Sequence, residues 1–156
     1  METVYVETSI PNYLVARPSR NIIAAARQQL TLEWWETQRE QYDLCISNAV
    51  IAEAAQGDAV RAAERLAVVQ SIKSLDITPQ CIMLAQTLLS GTSLPERAKD
   101  DALHVAVASV HDIDFLLTWN CRHLANAHLI PKLRMLTESE GFHFPQICTP
   151  EELMGE

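Results

Sequence analysis

The sequence predicts an α/β fold in three layers: a central parallel sheet of about five strands, covered by helices on both faces. Three observations lead there. Short β-rich runs alternate with longer runs of helical periodicity from one end of the chain to the other. Strands separated by helices require crossover connections, which produce parallel pairing. The run 115–118 (FLLT) is apolar without alternation, as a strand buried on both faces should be. With 156 residues, four glycines, seven prolines and no Ser/Gly-rich linker, the chain reads as one domain over 1–156.

The elements follow in order. Residues 3–7 (TVYVE) form the first strand, and Ser9 and Pro11 mark the start of a short helix through Val15. A long helix over 19–42 carries Ile22, Ile23, Ala26, Leu30 and Trp34 at three- and four-residue spacings. Residues 44–47 are the second strand, with Ser47 or Asn48 capping a helix over 49–56 and Gly57 closing it. Asp58 caps the next helix, to about Ser71, and 74–77 is a short strand. Pro79 opens a helix that stops at Gly91. Residues 97–111 are helical, with an apolar stripe at Leu103, Ala106, Val107 and Val110. A helix over 131–140 and a last strand over 146–149 complete the chain.

Composition narrows the function. Hydrophobic residues at 48% and charged residues at 21% belong to an ordinary globular protein. No apolar run approaches the ~20 residues of a membrane span, and the N-terminus lacks a signal-peptide pattern. Cys45, Cys81, Cys121 and Cys148 include no C-x-x-C pair, so reduced thiols in a cytoplasm are expected. A net charge of −8 argues against binding nucleic acid mainly by phosphate neutralisation. It leaves room for an enzyme that reaches phosphates through metal ions, because carboxylates are ligands for Mg²⁺ and Mn²⁺. No G-x-G-x-x-G, Walker or G-x-S-x-G motif is present, which leaves nucleotide cofactors and serine hydrolysis without support.

Open parallel sheets bind ligands beyond the carboxyl ends of their strands. Glu7 ends the first strand, and Glu53 lies about two turns past the second. Asp100 and Asp101 open the helix that feeds the apolar strand, and Thr118, Trp119 and Asn120 follow that strand. Clustered carboxylates repel unless a cation joins them. Two divalent ions about 4 Å apart can activate water and stabilise the leaving oxygen in phosphodiester hydrolysis. Each residue also has a plainer role. Glu7 and the Asp pair suit helix starts, Glu53 a solvated helix face, and Asn120 a turn.

The strings "VYVETSIPNYL", "ISNAVIAEAAQG", "DDALHVAVASVHDIDFLLTWNCRHL" and "ICTPEEL" resemble, in order, the segments of PIN-domain proteins, with VapC-like toxins of bacterial type II toxin–antitoxin systems nearest. The D-A-L-H-x-A stretch followed by an apolar strand and T-W-N is the most specific part. The resemblance implies a PIN-like fold and a metal-dependent endoribonuclease holding Mg²⁺ or Mn²⁺. Glu7, Glu53 and Asp101 stand at the positions of metal-ligating acids, with Asn120 completing the catalytic set. Glu7 is one methylene longer than the family's usual aspartate. Asn120 is neutral where many members carry an acid, which points to one tight ion, with a second arriving with substrate phosphate. The resemblance further implies an RNA substrate, a cognate antitoxin and a homodimer. The alternative is a non-catalytic PIN-fold module, for RNA binding or assembly, with weakened metal binding.

Asp100 and Asp101 point about 100° apart on a helix. Spacing groups Asp100 with Leu103 and Val107, whereas the resemblance selects Asp101 and leaves Asp100 as an electrostatic helper. Thr8 and Ser9 either contact phosphate or ligand water, or cap a helix. His104, one turn from Asp101, either contacts the site or, the preferred reading, is a hydrogen-bonded core histidine, and Arg122 with His123 reads as an RNA contact or an exposed turn. Cys121, His123 and His128 are too loosely spaced for a zinc site. Of Trp34 and Trp35, one is expected to face the core and the other to be partly exposed, at a dimer or antitoxin contact or, the preferred reading, in core packing alone. Arg17, Arg20 and Arg27 form the notable basic cluster, near the end of the first strand, and either guide RNA toward the carboxylates or make an ordinary solvated face.

Overall fold

The computed structural model describes residues 1–155, which form a five-stranded, wholly parallel sheet. The strands are β1 (Thr3–Val6), β2 (Asp43–Ser47), β3 (Lys73–Leu75), β4 (Phe115–Leu117) and β5 (Gln146–Cys148), in the spatial order β3-β2-β1-β4-β5. The helices are α1 (Ser9–Val15), α2 (Ile22–Thr37), α3 (Asn48–Ala54), α4 (Ala59–Val69), α5 (Pro79–Ser90), α6 (Lys99–Val110) and α7 (Ile130–Ser139). From β1 the chain moves outward through β2 to β3, then returns to β4 on the other side. Right-handed crossovers therefore put the two sets of helices on opposite faces. Accordingly α1 packs on α2 and α4, while α5 packs on α6 and α7. The order in which strands are added reverses between β1 and β4, where an open parallel sheet leaves a crevice at its carboxyl edge.

Central position explains burial. Val4, Tyr5 and Val6 of β1 and Leu116 and Leu117 of β4 are fully buried. In α6, Ala102, Val105, Ala106, Val107 and Ala108 are also fully buried, and their small side chains let this helix lie close to its neighbours. The helix starts are chemically marked. Asn21 accepts from the Ala24 amide, Ser47 from Ala49, Asp58 from Arg61, and Thr78 from Cys81 with Pro79 beside it.

Several boundaries differ from the sequence expectation. The long helix starts at Ile22, because Asn21 takes the cap, and it ends at Thr37 before a 3₁₀ turn over Arg39–Gln41. Its inward residues are Thr31 and Trp34, whereas Ile22 and Ile23 are exposed. Thr31 can face inward because its hydroxyl donates to the Arg27 carbonyl and accepts from Trp119 Nε1. Trp34 is buried, and Trp35 is half-buried beneath Arg39. The third strand runs one residue earlier and ends at Leu75, where its pairing with Ser47 stops. The next carbonyl, of Asp76, accepts from His111 Nε2 instead. A 3₁₀ turn over Glu96–Ala98 precedes α6, which starts two residues later than expected.

Candidate active site

The crevice is built where β1 and β4 end. The Glu7 amide donates to the Leu117 carbonyl, so the two strand ends are tied at the residue that carries the first carboxylate. Glu7 is only 4% exposed. Its Oε1 accepts from Ser9 Oγ at 2.6 Å and Thr118 Oγ1 at 2.5 Å. The same hydroxyl oxygens accept in turn from the Trp119 amide (2.8 Å) and the Asn120 amide (2.9 Å). Ser9 and Thr118 thus lock the turn after β4 to the turn after β1. Neither Thr8 nor Ser9 makes a side-chain cap for α1; both hydroxyls serve carboxylates.

Glu53 enters from α3. Its Oε1 accepts from Thr8 Oγ1 at 2.8 Å and pairs with His104 Nε2 at 2.5 Å. His104, on α6, has no exposed surface, and its Nδ1 lies 2.7 Å from the Tyr5 hydroxyl. That hydroxyl lies 2.7 Å from Ser47 Oγ, the cap of α3. A buried chain of polar groups, Ser47–Tyr5–His104–Glu53–Thr8, therefore fixes the helix that carries Glu53 at two points. Burial disfavours charge on Glu53, but the hydrogen bond and charge of His104, with the Thr8 hydroxyl, hold its pKa below the ordinary value. Burial likewise disfavours charge on His104. The Glu53 hydrogen bond and the negative fields of Glu7, Glu53 and Asp101 outweigh it and raise the pKa. Both directions describe an imidazolium–carboxylate pair.

Asp101 stands one turn before His104 on α6 and is half-buried. Its Oδ1 accepts from Asn120 Nδ2 at 3.1 Å, and its Oδ2 lies 3.0 Å from His123 Nδ1. Asn120 Oδ1 also accepts from the His123 amide at 3.0 Å, so Asn120 and His123 hold Asp101 together. Burial raises the Asp101 pKa, with Glu53 adding repulsion, against the lowering fields of His104 and His123. Asp100 is exposed and lines the groove between α5 and α6 with Glu96 and Lys99, away from Asn120 and His123. Arg122 lines a neighbouring cleft that His123 also touches.

Glu7, Glu53 and His104 each bring a ligand atom within 4.8 Å of the others, the only such group of three among the described residues. The donor set fits a hard divalent cation. Glu7 and Glu53 each commit Oε1 to hydrogen bonds and make none through Oε2, and no Lys or Arg pairs with either among the described residues. His104 has both ring nitrogens engaged inside the core, so it serves as a brace for Glu53 rather than a ligand. The sequence reading of His104 as a hydrogen-bonded core histidine holds; what it missed is the residue's role as a brace for Glu53. Its one available signal was the three-residue spacing from Asp101, which puts both side chains on one helix face. Arg27 of the basic cluster lies over the Trp119 ring, 5.2 Å from its centroid. Cys121, His123 and His128 do not assemble as a three-ligand site among the described residues.

Comparison with known proteins agrees with this architecture. The sequence pattern of the PIN domain family matches residues 4–127. A search of curated proteins found no match. Among solved structures, VapC20 of Mycobacterium tuberculosis, a sarcin-ricin loop cleaving toxin, superposes with a TM-score of 0.61 at 17% identity, over 90% of this chain and 96% of its own. VapBC2 of Rickettsia felis, bound to a promoter DNA fragment, gives 0.58 at 14% identity over 94% and 98%. VapBC-1 of nontypeable Haemophilus influenzae gives 0.56 at 12% identity over 96% and 98%. The extent of the family match, together with this shared fold, shows that the chain belongs to the PIN domain family.

Proposed function

We propose that this protein is a divalent-metal-dependent endoribonuclease, the toxin of a toxin–antitoxin pair. The observation that carries the reading is the state of Glu7 and Glu53 at the β1–β4 crevice. Among the described residues, each has one oxygen clamped by hydrogen bonds and the other free of them, and His104 is the one side chain that pairs directly with either. Glu7 and Glu53 would hold Mg²⁺ or Mn²⁺, with Asp101 as the third acid. When bound, the ion supplies Lewis-acid polarisation of the scissile phosphate and a lowered pKa for the attacking water.

The chain's own residues orient the carboxylates. Ser9 and Thr118 fix Glu7, Thr8 and His104 fix Glu53, and Asn120 and His123 fix Asp101. RNA as the substrate draws support from the fold shared with a sarcin-ricin loop cleaving toxin. A cognate antitoxin draws support from the two VapBC structures, and the −8 charge suits a basic partner segment. We place the protein in the cytoplasm as a homodimer; no described helix is long and apolar enough to cross a membrane.

One observation favours the alternative, a non-catalytic PIN-fold module. Both oxygens of Asp101 are occupied, by a neutral asparagine and a histidine. The two readings separate on total RNA incubated with purified protein and Mn²⁺, beside Asp101→Asn and an EDTA control. Discrete fragments that disappear in both controls are the expected result. RNA binding without cleavage would favour the module, and cleavage that survives EDTA would overturn the metal mechanism.

A further inference from the structure

We infer that the cleft between residues 93–97 and the segment 121–132 binds the phosphodiester backbone of an RNA strand, and so leads the substrate past the carboxylates. The inference rests on RNA being the substrate, as proposed above. The cleft has a volume of about 610 Å³. Arg97, Arg122, Lys132, His123 and His128 line it, and no Asp or Glu does. That is a local inversion of charge in a chain with 20 acidic and 12 basic residues. Arg97, Arg122 and Lys132 are exposed, and among the described residues none has a carboxylate within ion-pair distance.

The wall is built rather than loose. Asn126 donates through Nδ2 to the Cys121 and Arg122 carbonyls and accepts through Oδ1 from the His128 and Leu129 amides. This one side chain folds the loop that carries Arg122 and His128. The three cations come from separate elements: the 3₁₀ turn before α6, the loop after β4, and the start of α7. Cations spread in this way suit a polyanion with repeating charges better than a single small anion. The cleft also meets the acidic site directly, because His123 lines it while holding Asp101 Oδ2. An anionic strand in the cleft therefore continues onto the carboxylates. Phosphodiesters meet carboxylates through a shared cation.

The test measures binding of a fluorescent single-stranded oligouridylate to the full chain in EDTA by anisotropy, across a salt series. Arg97→Gln/Arg122→Gln/Lys132→Gln is compared with Arg39→Gln/Lys73→Gln/Arg134→Gln, which removes the same net charge from residues that do not line the cleft. Loss of three phosphate contacts should lower the salt slope by about 2 and weaken binding on the order of 50-fold near 0.15 M salt. The control variant should stay within a few-fold of wild type. If the triple variant does not fold by circular dichroism, Arg97→Gln and Lys132→Gln singly should each lower the slope by about 0.7. Equal loss in both triple variants would overturn the inference, as would polyglutamate binding as tightly as the oligonucleotide. Cleft-dependent binding without Mn²⁺-dependent cleavage would sustain the cleft and sink the nuclease reading. Cleavage with cleft-independent binding would do the reverse.

Discussion

Replacing Tyr5 by Phe removes one oxygen from the buried polar chain behind Glu53 while keeping the ring that packs in the sheet. Tyr5 and His104 both have no exposed surface, so no water replaces the lost hydroxyl without rearrangement. Ser47 Oγ keeps the Ala49 amide as a partner, but His104 Nδ1 loses the only partner it has. Leaving a buried polar nitrogen unpaired costs roughly 1–3 kcal/mol. At about 2–4 °C per kcal/mol for a chain of this size, Tm should fall by about 4–8 °C for the middle of that range. Urea unfolding should show a lower midpoint with an unchanged m value. A looser His104 also holds Glu53 less well, so Mn²⁺ affinity should drop about tenfold, at the low end for groups that orient metal ligands. In a double-mutant cycle, Tyr5→Phe and Glu53→Gln should couple by at least about 0.5 kcal/mol. A stability loss below about 0.5 kcal/mol with no coupling to Glu53 would refute the buried chain as a positioning device.

Three further outcomes follow from the same geometry. Thr118→Val removes a donor to Glu7 and the acceptor of the Asn120 amide; about 1–3 kcal/mol of stability and most Mn²⁺-dependent cleavage should be lost, checked by urea melts and RNA assays. In EDTA, stability from the Glu53–His104 pair should be greatest between the ordinary values of 4.5 and 6.5, seen as a maximum in Tm against pH. Glu53, lowered by the pair, loses its contribution as pH falls through its folded value, and His104, raised, loses its own as pH rises through its folded value. Asp101, raised by burial above 3.8, works against Glu53 and blunts the acid limb. Asp100→Asn should leave cleavage within about twofold of wild type while Asp101→Asn abolishes it, because Asp100 faces the α5–α6 groove.

Much of this was readable from local pattern. The alternation of strands and helices determines a parallel sheet, the caps at Asp58 and Ser47 stand where short polar side chains precede helical runs, and Pro79 marks the start of α5. Glu7 could be located because it directly follows β1, and Asn120 because it lies in the turn three residues past β4. The choice between Asp100 and Asp101 resisted spacing, because α6 buries residues on several sides and no single apolar face points to the core. The brace behind Glu53 was not readable, since Tyr5, Ser47, Glu53 and His104 come from four elements distant in sequence. The α2 face was legible at Trp34 and Leu30 but not at Ile22 and Ile23, which are exposed, nor at Thr31, which is polar by type yet satisfied inside by Trp119 and a backbone carbonyl. The cationic cleft joins a turn, a loop and a helix start, which share no periodicity.

The central claim, that Glu7, Glu53 and Asp101 together hold a divalent ion, is tested most directly by calorimetric titration of the purified, metal-stripped protein with Mn²⁺. Saturable binding of at least one ion per chain is expected, weakened at least tenfold in Glu7→Gln and in Asp101→Asn, with both variants still folded. Absence of saturable binding in the wild type, or binding untouched by either substitution, would contradict it.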